Sequence, residues 1–319
     1  MLREEADSPR GRLLLLDALA AGRAEPADVR FHLDRCVGCL ACQAVCPSGV
    51  PYGRLLEEGR ERLGGPSLLA RIFLRHVVNR PLLLRALVGV ARMAGCVPPR
   101  PPLLPWPEVR NPKGRVKLHL GCVTPHLFPN LAAEAAHVLA RLGYAVEPAG
   151  QRCCGALHRH AGLRYEYPAE GIALAAGCST TPGLTDICKV LLAERIEGAR
   201  LPPVRVAWDA PCHLIHAQGI DAAPLLDAIE GVERVTLPGA TECCGAGGLY
   251  MGQEPRLARK VREKKVAEIL ASGATVVATP NPGCMLWIWR GLRAAGAAVE
   301  VVHPVTLLAR ASGAPRGGS

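Results

Sequence analysis

Cys36-Val-Gly-Cys39-Leu-Ala-Cys42-Gln-Ala-Val-Cys46-Pro47 reads C-x2-C-x2-C-x3-C-P, the ferredoxin-type run that ligates a [4Fe–4S] cluster. The spacing has a physical basis. The irons of a cubane sit at closely spaced corners, and thiolates on one tight loop reach three of them while the proline turns the chain away. Zinc sites built from four cysteines usually separate their pairs by a longer stretch. Scattered structural or disulfide cysteines need neither this spacing nor the proline. Cys36, Cys39, Cys42 and Cys46 are therefore predicted to hold a [4Fe–4S] cluster.

A second pattern is repeated. Cys122 precedes Cys153-Cys154-Gly155 by 31 positions, and Cys212 precedes Cys243-Cys244-Gly245 by the same 31, so the two sets are offset by 90 residues. Each set gains one later cysteine, Cys178 in the first and Cys284 in the second. Adjacent cysteines do not easily close a disulfide on themselves, but on a loop their thiolates can bridge or bind neighbouring metals. The candidate ligand sets are Cys122, Cys153, Cys154 and Cys178, and Cys212, Cys243, Cys244 and Cys284. An iron–sulfur cluster, zinc or purely structural thiols all satisfy them. Gly245-Ala-Gly-Gly248 lets the backbone approach a cluster and offer N–H groups to its sulfurs; it matches a dinucleotide loop poorly. His213 and His216 flank Cys212 as further candidate ligands, while His32, His158 and His160 say less.

The elements that must position these thiols are legible around them. Ser8-Pro9 is a cap followed by a proline at the first helical position, and residues 7–64 read as helices around the cysteine loop. Residues 66–95 form an arginine-studded amphipathic segment interrupted by Pro81, a helical pair packed on the protein or a docking face for a membrane or partner. Residues 97–112 carry seven prolines and read as a semi-rigid linker. Beyond it, strand-like Val116–Leu120, Gly171–Gly177, Val204–Trp208 and Thr275–Thr279 each run up to a cysteine of the repeat. Helical stretches such as Leu131–Leu142 and Pro255–Leu270 alternate with them. The expected fold is α/β: an N-terminal α-helical ferredoxin-like domain (1–64), amphipathic helices and linker (65–112), and two Rossmann-like lobes (113–200, shortened, and 201–313) with mainly parallel sheets. The cysteines follow strands, and strand C-terminal ends are where such sheets place ligands.

Composition narrows the function. The 319 residues are 49% hydrophobic but only 4% aromatic, so the core is aliphatic. Fourteen cysteines without a secretory signal point to metal ligation rather than disulfides, and to a cytoplasmic chain. The net charge of +10 suits an anionic lipid surface or an acidic protein. With basic residues spread out and few aromatics to stack bases, nucleic acid is not expected as a partner. Ile269 to Trp289 is uncharged but broken by Gly273, Pro280, Pro282 and Gly283, and reads as a strand and a loop rather than a membrane span.

These motifs resemble the iron–sulfur subunit of bacterial glycolate oxidase and its relatives with two cysteine-rich "CCG" domains, among them heterodisulfide reductase B subunits and lactate-utilisation proteins. Asp7-Ser8-Pro9-Arg10-Gly11-Arg12, His32-Leu-Asp-Arg-Cys36, Cys46-Pro-Ser-Gly-Val50 and Cys153-Cys-Gly-Ala-Leu-His158 look most like the glycolate oxidase branch. The resemblance implies an electron-transfer subunit that works with an FAD-containing dehydrogenase subunit oxidising a 2-hydroxy acid, with no flavin in this chain. It also implies a further iron–sulfur cluster, or zinc, in the CCG lobes, and a quinone or other acceptor at the inner face of the membrane. Three departures stand out. The family's first ferredoxin run is expected just upstream of Asp7, and residues 1–6 do not contain it. The Cys154–Cys178 interval is 16 residues shorter than Cys244–Cys284, about four helical turns or one helix, so the first lobe is expected to be incomplete and its metal site in question. The closing C-x-x-C of the fullest relatives has Thr181 and Trp287 at its last position. Two alternatives accompany this reading: a CCG cluster that is itself the reaction site, as in heterodisulfide reductase, and a degenerate subunit that only docks the flavoprotein.

Overall fold

Two parallel four-stranded sheets carry the two cysteine repeats. The computed structural model describes residues 4–150, 153–164 and 169–314. The first sheet contains β1 (Gly114–His119), β2 (Tyr144–Pro148), β3 (Gly171–Ala173) and β4 (Leu184–Asp186); the second contains β5 (Arg200–Trp208), β6 (Glu230–Val235), β7 (Val276–Ala278) and β8 (Glu300–Val302). The orders are β2-β1-β3-β4 and β6-β5-β7-β8, and every pairing is parallel. In each sheet the chain leaves the first strand to one side and returns on the other. That creates a switch point, the crevice where open α/β sheets bind ligands. Strand β7 is buried along its whole length, as a strand covered on both faces must be.

One aliphatic core joins the lobes. Leu131, Ala135, Val138 and Leu139 line one face of the helix Leu131–Arg141 and share a cluster with Leu118 and Ile172 of the first sheet, with Val206 and Trp208 of the second, and with Val305 and Leu308 of the helix Pro304–Ala311. Their i, i+4, i+7, i+8 spacing is that of a helix with one apolar stripe.

The N-terminal residues form the helices Pro9–Ala20, Pro26–Asp34, Ala41–Ala44 and Tyr52–Arg62. Ser8 caps the first, its Oγ accepting from the Gly11 amide at 2.9 Å. Val29, Leu33, Tyr52 and Leu56 make a small core beside the cysteine loop. Residues 68–93 are helical up to and after Pro81, with a π-helical turn over Phe73–Val78. Leu74 and Val78 pack against Cys153 and Ala161, and Leu84 and Val88 against Leu127. The opposite face leaves Leu69, Ile72, Leu82, Leu87, Val90 and Met93 exposed. The packed face agrees with a helical pair seated on the protein. The proline-rich stretch that follows has no regular structure and lies along the first lobe: Leu104 N–H donates to Asn130 Oδ1 (3.1 Å) and Trp106 Nε1 to the Val146 carbonyl (3.0 Å).

The lobes differ where the cysteine intervals differ. In the second, the 17-residue helix Pro255–Ala271 stands between β6 and β7; between β2 and β3 the described residues hold only the five-residue helix Ala156–His160. A second helix is also missing: turns link β3 to β4, where Pro282–Ala294 links β7 to β8. Helix Tyr52–Arg62 packs into the first lobe at this point, close enough that a Cβ on Gly162 would meet the Arg60 backbone at 2.6 Å. The stretch Ile269–Trp289 is corrected in its second half. After β7 it is helix, because Pro282 sits in the first turn, where a missing N–H costs nothing, instead of breaking a loop.

Candidate metal centres

The ferredoxin loop turns on left-handed residues, Gly38 (φ 73°) and Leu40 (φ 62°). Strain at a non-glycine residue is often held at functional sites. Cys36 stands close enough to Cys39 and Cys42 for its charge to reach both. Burial raises Cys39 and Cys42, Cys36 raises both, and amides of Ala41 and Gln43 pull back in the other direction. Tyr52 Oη lies 3.5 Å from Cys36 Sγ. Cys46 is placed differently. It is half-buried, and the backbone N–H groups of Val50 and Ser48 hold its thiol low. Cys36, Cys39 and Cys42, with amides aimed at two of them, fit three corners of a cubane.

The repeated cysteines lie at the two switch points. In the second lobe Cys244 and Cys284 Sγ atoms are 2.9 Å apart, Cys212 is hydrogen-bonded to Cys243, and the Gly245 N–H donates to Cys243 Sγ at 3.3 Å. Asn281 Nδ2 donates to Cys284 Sγ at 3.3 Å. Gly245 is the member of the glycine run that meets a sulfur; Gly247 makes room for the ferredoxin loop. A Cβ there would lie 2.6 Å from Val37 Cγ2, and Tyr250 Oη donates to the Arg35 carbonyl at 3.3 Å. This seat brings Cys39 to the second lobe, where it and Cys212 and Cys243 enter one another's fields.

The first lobe repeats the arrangement despite its shorter chain. Cys154 and Cys178 Sγ atoms are 2.9 Å apart, Cys122 bonds Cys153, and the Gly155 N–H donates to Cys153 Sγ at 3.4 Å. The bond from Cys178 holds Cys154 down to about 4, and the bond from Cys122 holds Cys153 down to about 5, both against burial. In the second lobe Cys243, Cys244 and Cys284 also accept a bond that lowers them, yet burial and adjacent thiols prevail and all three are raised. At the final C-x-x-C positions, Thr181 Oγ1 donates to the Cys154 carbonyl (3.0 Å), and Trp287 Nε1 donates to the Ala258 carbonyl (3.3 Å) and joins the helices Pro282–Ala294 and Pro255–Ala271.

Of the histidines weighed from sequence, His213 has Nδ1 3.8 Å from Cys212 Sγ and its ring stacked at 4.8 Å on His160, which pairs with Glu57 at 2.8 Å. Burial holds His213 down to about 3, and it is neutral at physiological pH. His216 contacts the Thr241 carbonyl and His32 pairs with Asp7; His158 Nδ1 is 3.9 Å from Cys153 Sγ. Two residues escaped the sequence reading, His119 and Asp209. They are equivalent under the 90-residue offset, each three positions before a strand-end cysteine. Asp209 forms a buried ion pair with Lys265 at 2.8 Å. A ring nitrogen of His119 instead lies with the sulfurs of Cys154 and Cys178, all within 4.8 Å of one another.

The 4Fe-4S binding domain family matches residues 29–52, and the Cysteine-rich domain family, CCG, matches residues 116–175 and 206–289. The chain is 30% identical to the glycolate oxidase iron-sulfur subunit of Escherichia coli (strain K12), over 89% of this chain and 84% of that protein. This chain belongs to the glycolate oxidase iron–sulfur subunit family. A probable member from Bacillus subtilis (strain 168) is 29% identical over 97% of this chain and 89% of its own length. Two shorter matches widen the group. The B subunit of the fumarate reductase (CoM/CoB) of Methanothermobacter marburgensis is 30% identical over 62% of this chain and 47% of its own. Lactate utilization protein A of Oceanobacillus iheyensis is 25% identical over 61% and 96%. Membership makes iron–sulfur clusters the cofactors of the family fold described above. No helix among the described residues is long and apolar enough to cross a membrane.

Proposed function

We propose that this chain is the electron-transfer subunit of a flavin-dependent 2-hydroxy-acid dehydrogenase complex of the glycolate or lactate type. A separate subunit holds FAD and oxidises the substrate; this chain relays the electrons to a quinone or other acceptor. The observation that carries the reading is the seat of the ferredoxin loop on the second lobe. The helix Ala41–Ala44 of that loop packs on the helix Cys212–Gln218, and Cys39 lies within electrostatic reach of Cys212 and Cys243. Cys36, Cys39 and Cys42 would hold one cluster, and Cys212, Cys243, Cys244 and Cys284 another centre. When bound, such clusters supply one-electron carriers with potentials tuned by ligands, hydrogen bonds and burial. The chain's own part is to fix their separation: Gly247 admits Val37, Tyr250 anchors Arg35, and Gly245 and Asn281 donate to the thiols.

The test is anaerobic reduction of the iron–sulfur EPR signals by glycolate or D-lactate. Reduction is expected in the complex with the flavoprotein subunit and not with this chain alone. Substrate oxidation by the isolated chain, or a complex whose clusters substrate never reduces, overturns the reading. A second reading, disulfide reduction at the second lobe itself, draws on the similarity to the CoM/CoB-named relative. Burial of Cys244 and Cys284 favours the relay over direct access by a substrate.

The outer face of residues 68–93 supports a peripheral contact with the membrane. Its exposed leucines alternate with Arg71, Arg75, Arg80, Arg85 and Arg92, and no acidic residue occurs between Glu61 and Glu108. An apolar face rimmed only by cations suits anionic lipid.

A further inference from the structure

Asp209 directly follows β5 and stands three residues before Cys212. Its amide donates at 3.0 Å to the carbonyl of Ala278, the last residue of β7, whose chain runs on to Cys284. Lys265, on the helix Pro255–Ala271, pairs with Asp209 Oδ1 at 2.8 Å and also donates to the carbonyls of Gly239 and Ala240, four and three residues before Cys243. The pair therefore knots together the segments that lead to the thiols of the second lobe. Asp209 Oδ2 is sealed from solvent with no hydrogen-bond partner among the described residues. A buried carboxylate usually gathers several donors that absorb its charge. With one counter-ion and an unpartnered oxygen, this one leaves a field for its neighbours. Bonds between thiols and burial act first on Cys212, Cys244 and Cys284, and the Asp209 charge reaches all three, making each harder to ionise. Burial works against the charge on Lys265, but Asp209 and then Cys244 prevail. The pair is not neutral as seen from the cysteines, because its anion reaches more of them than its cation does. In the first lobe His119 holds the equivalent position in place of a carboxylate.

We infer that Asp209 sets the reduction potential of the second-lobe centre: its buried carboxylate holds that potential down, while Lys265 fixes the carboxylate in place and offsets only part of its field. Every electron the centre accepts puts one more negative charge beside the carboxylate, and repulsion between charges is strong where water is excluded. Net charge and hydrogen bonding set the potentials of iron–sulfur clusters of one type. A centre held low gives its electron up readily to the next acceptor, which suits a relay. The inference rests on the electron-transfer reading, since it needs a redox-active centre in the second lobe.

The test is a mediated redox titration of the full chain, purified anaerobically, with its iron–sulfur EPR signals followed. The signal lost in Cys284→Ser belongs to the second lobe. Asp209→Asn keeps the shape of the side chain and leaves Lys265 its two carbonyls. In that variant the second-lobe signal should titrate higher by at least a tenfold change in the reduction equilibrium, about 59 mV for one electron. Asp209→Leu with Lys265→Met removes both charges and should give a smaller rise. The signal of the cluster at Cys36, Cys39 and Cys42 should stay in place in both variants, because the charges that reach Cys39 are those of Cys212 and Cys36. A purely structural pair would shift both signals or neither. An unmoved or lowered second-lobe potential in Asp209→Asn, or an equal shift of both signals, overturns the inference. If Asp209→Asn does not fold, the double variant decides, and a potential no higher than that of the unaltered chain overturns it. Should glycolate or D-lactate still reduce the centre in the complex while Asp209→Asn leaves its potential unmoved, this inference alone fails. A second lobe without a redox-active centre overturns both readings.

Discussion

At the scale of single residues, what separates the two lobes is one exchange, Asp209 against His119. Asp209 and Lys265 are almost wholly enclosed, their side chains 1% and 2% exposed. Breaking such a pair leaves a charge without a partner, which costs about 3–5 kcal/mol. Lys265→Met is expected to destabilise the protein by that much in urea unfolding. Asp209→Leu together with Lys265→Met should recover most of the loss, because the pair can be replaced but not halved. A double variant no more stable than Lys265→Met would refute this account of the pair. The sequence pointed to the cysteines at once, because their spacing recurs, whereas a lone histidine has no spacing to betray it. Only superposing the repeats by 90 residues brings His119 onto Asp209, and only the fold shows that one faces a lysine and the other two sulfurs.

At the scale of elements, β1, β3, β5 and β7 were legible because each is followed by Gly, Asp or Pro on the way to a cysteine of the repeat, a marker that β4 and β8 lack. Predicted Leu131–Leu142 and Pro255–Leu270 agree with the observed Leu131–Arg141 and Pro255–Ala271. The misreading of Pro282 has a plain cause. A proline breaks a helix in its interior and starts one at its first turn, and composition alone does not say which. The amphipathic segment makes its own prediction. Vesicles of phosphatidylcholine with phosphatidylglycerol should retain the protein in a flotation assay, and pure phosphatidylcholine should retain it weakly. Replacing exposed Leu82 and Leu87 by Asp should abolish retention without altering the melting temperature, since neither side chain joins a core cluster. Retention unchanged by these replacements would remove this face from consideration.

At the scale of the whole molecule, the parts lean on one another. The core of the first lobe is continuous with that of the second. Arg60 donates to the His160 carbonyl on one side and to the Leu33 and Cys36 carbonyls on the other, at 2.7–2.8 Å. Residues 113–200 expressed alone should therefore show no cooperative heat-absorption peak, where the full chain shows one or more. A sharp transition in the isolated lobe would mean that it carries a sufficient core of its own.

Arg60 and its helix stand where the chain of the second lobe enters its 17-residue helix. That position makes the asymmetry a one-way step. A helix grafted back after Gly162 would have to dislodge Tyr52–Arg62, and with it the carbonyls of Leu33 and Cys36 that Arg60 holds. The shortened lobe can go on diverging from its twin, but restoring their likeness would mean unseating the loop that bears Cys36.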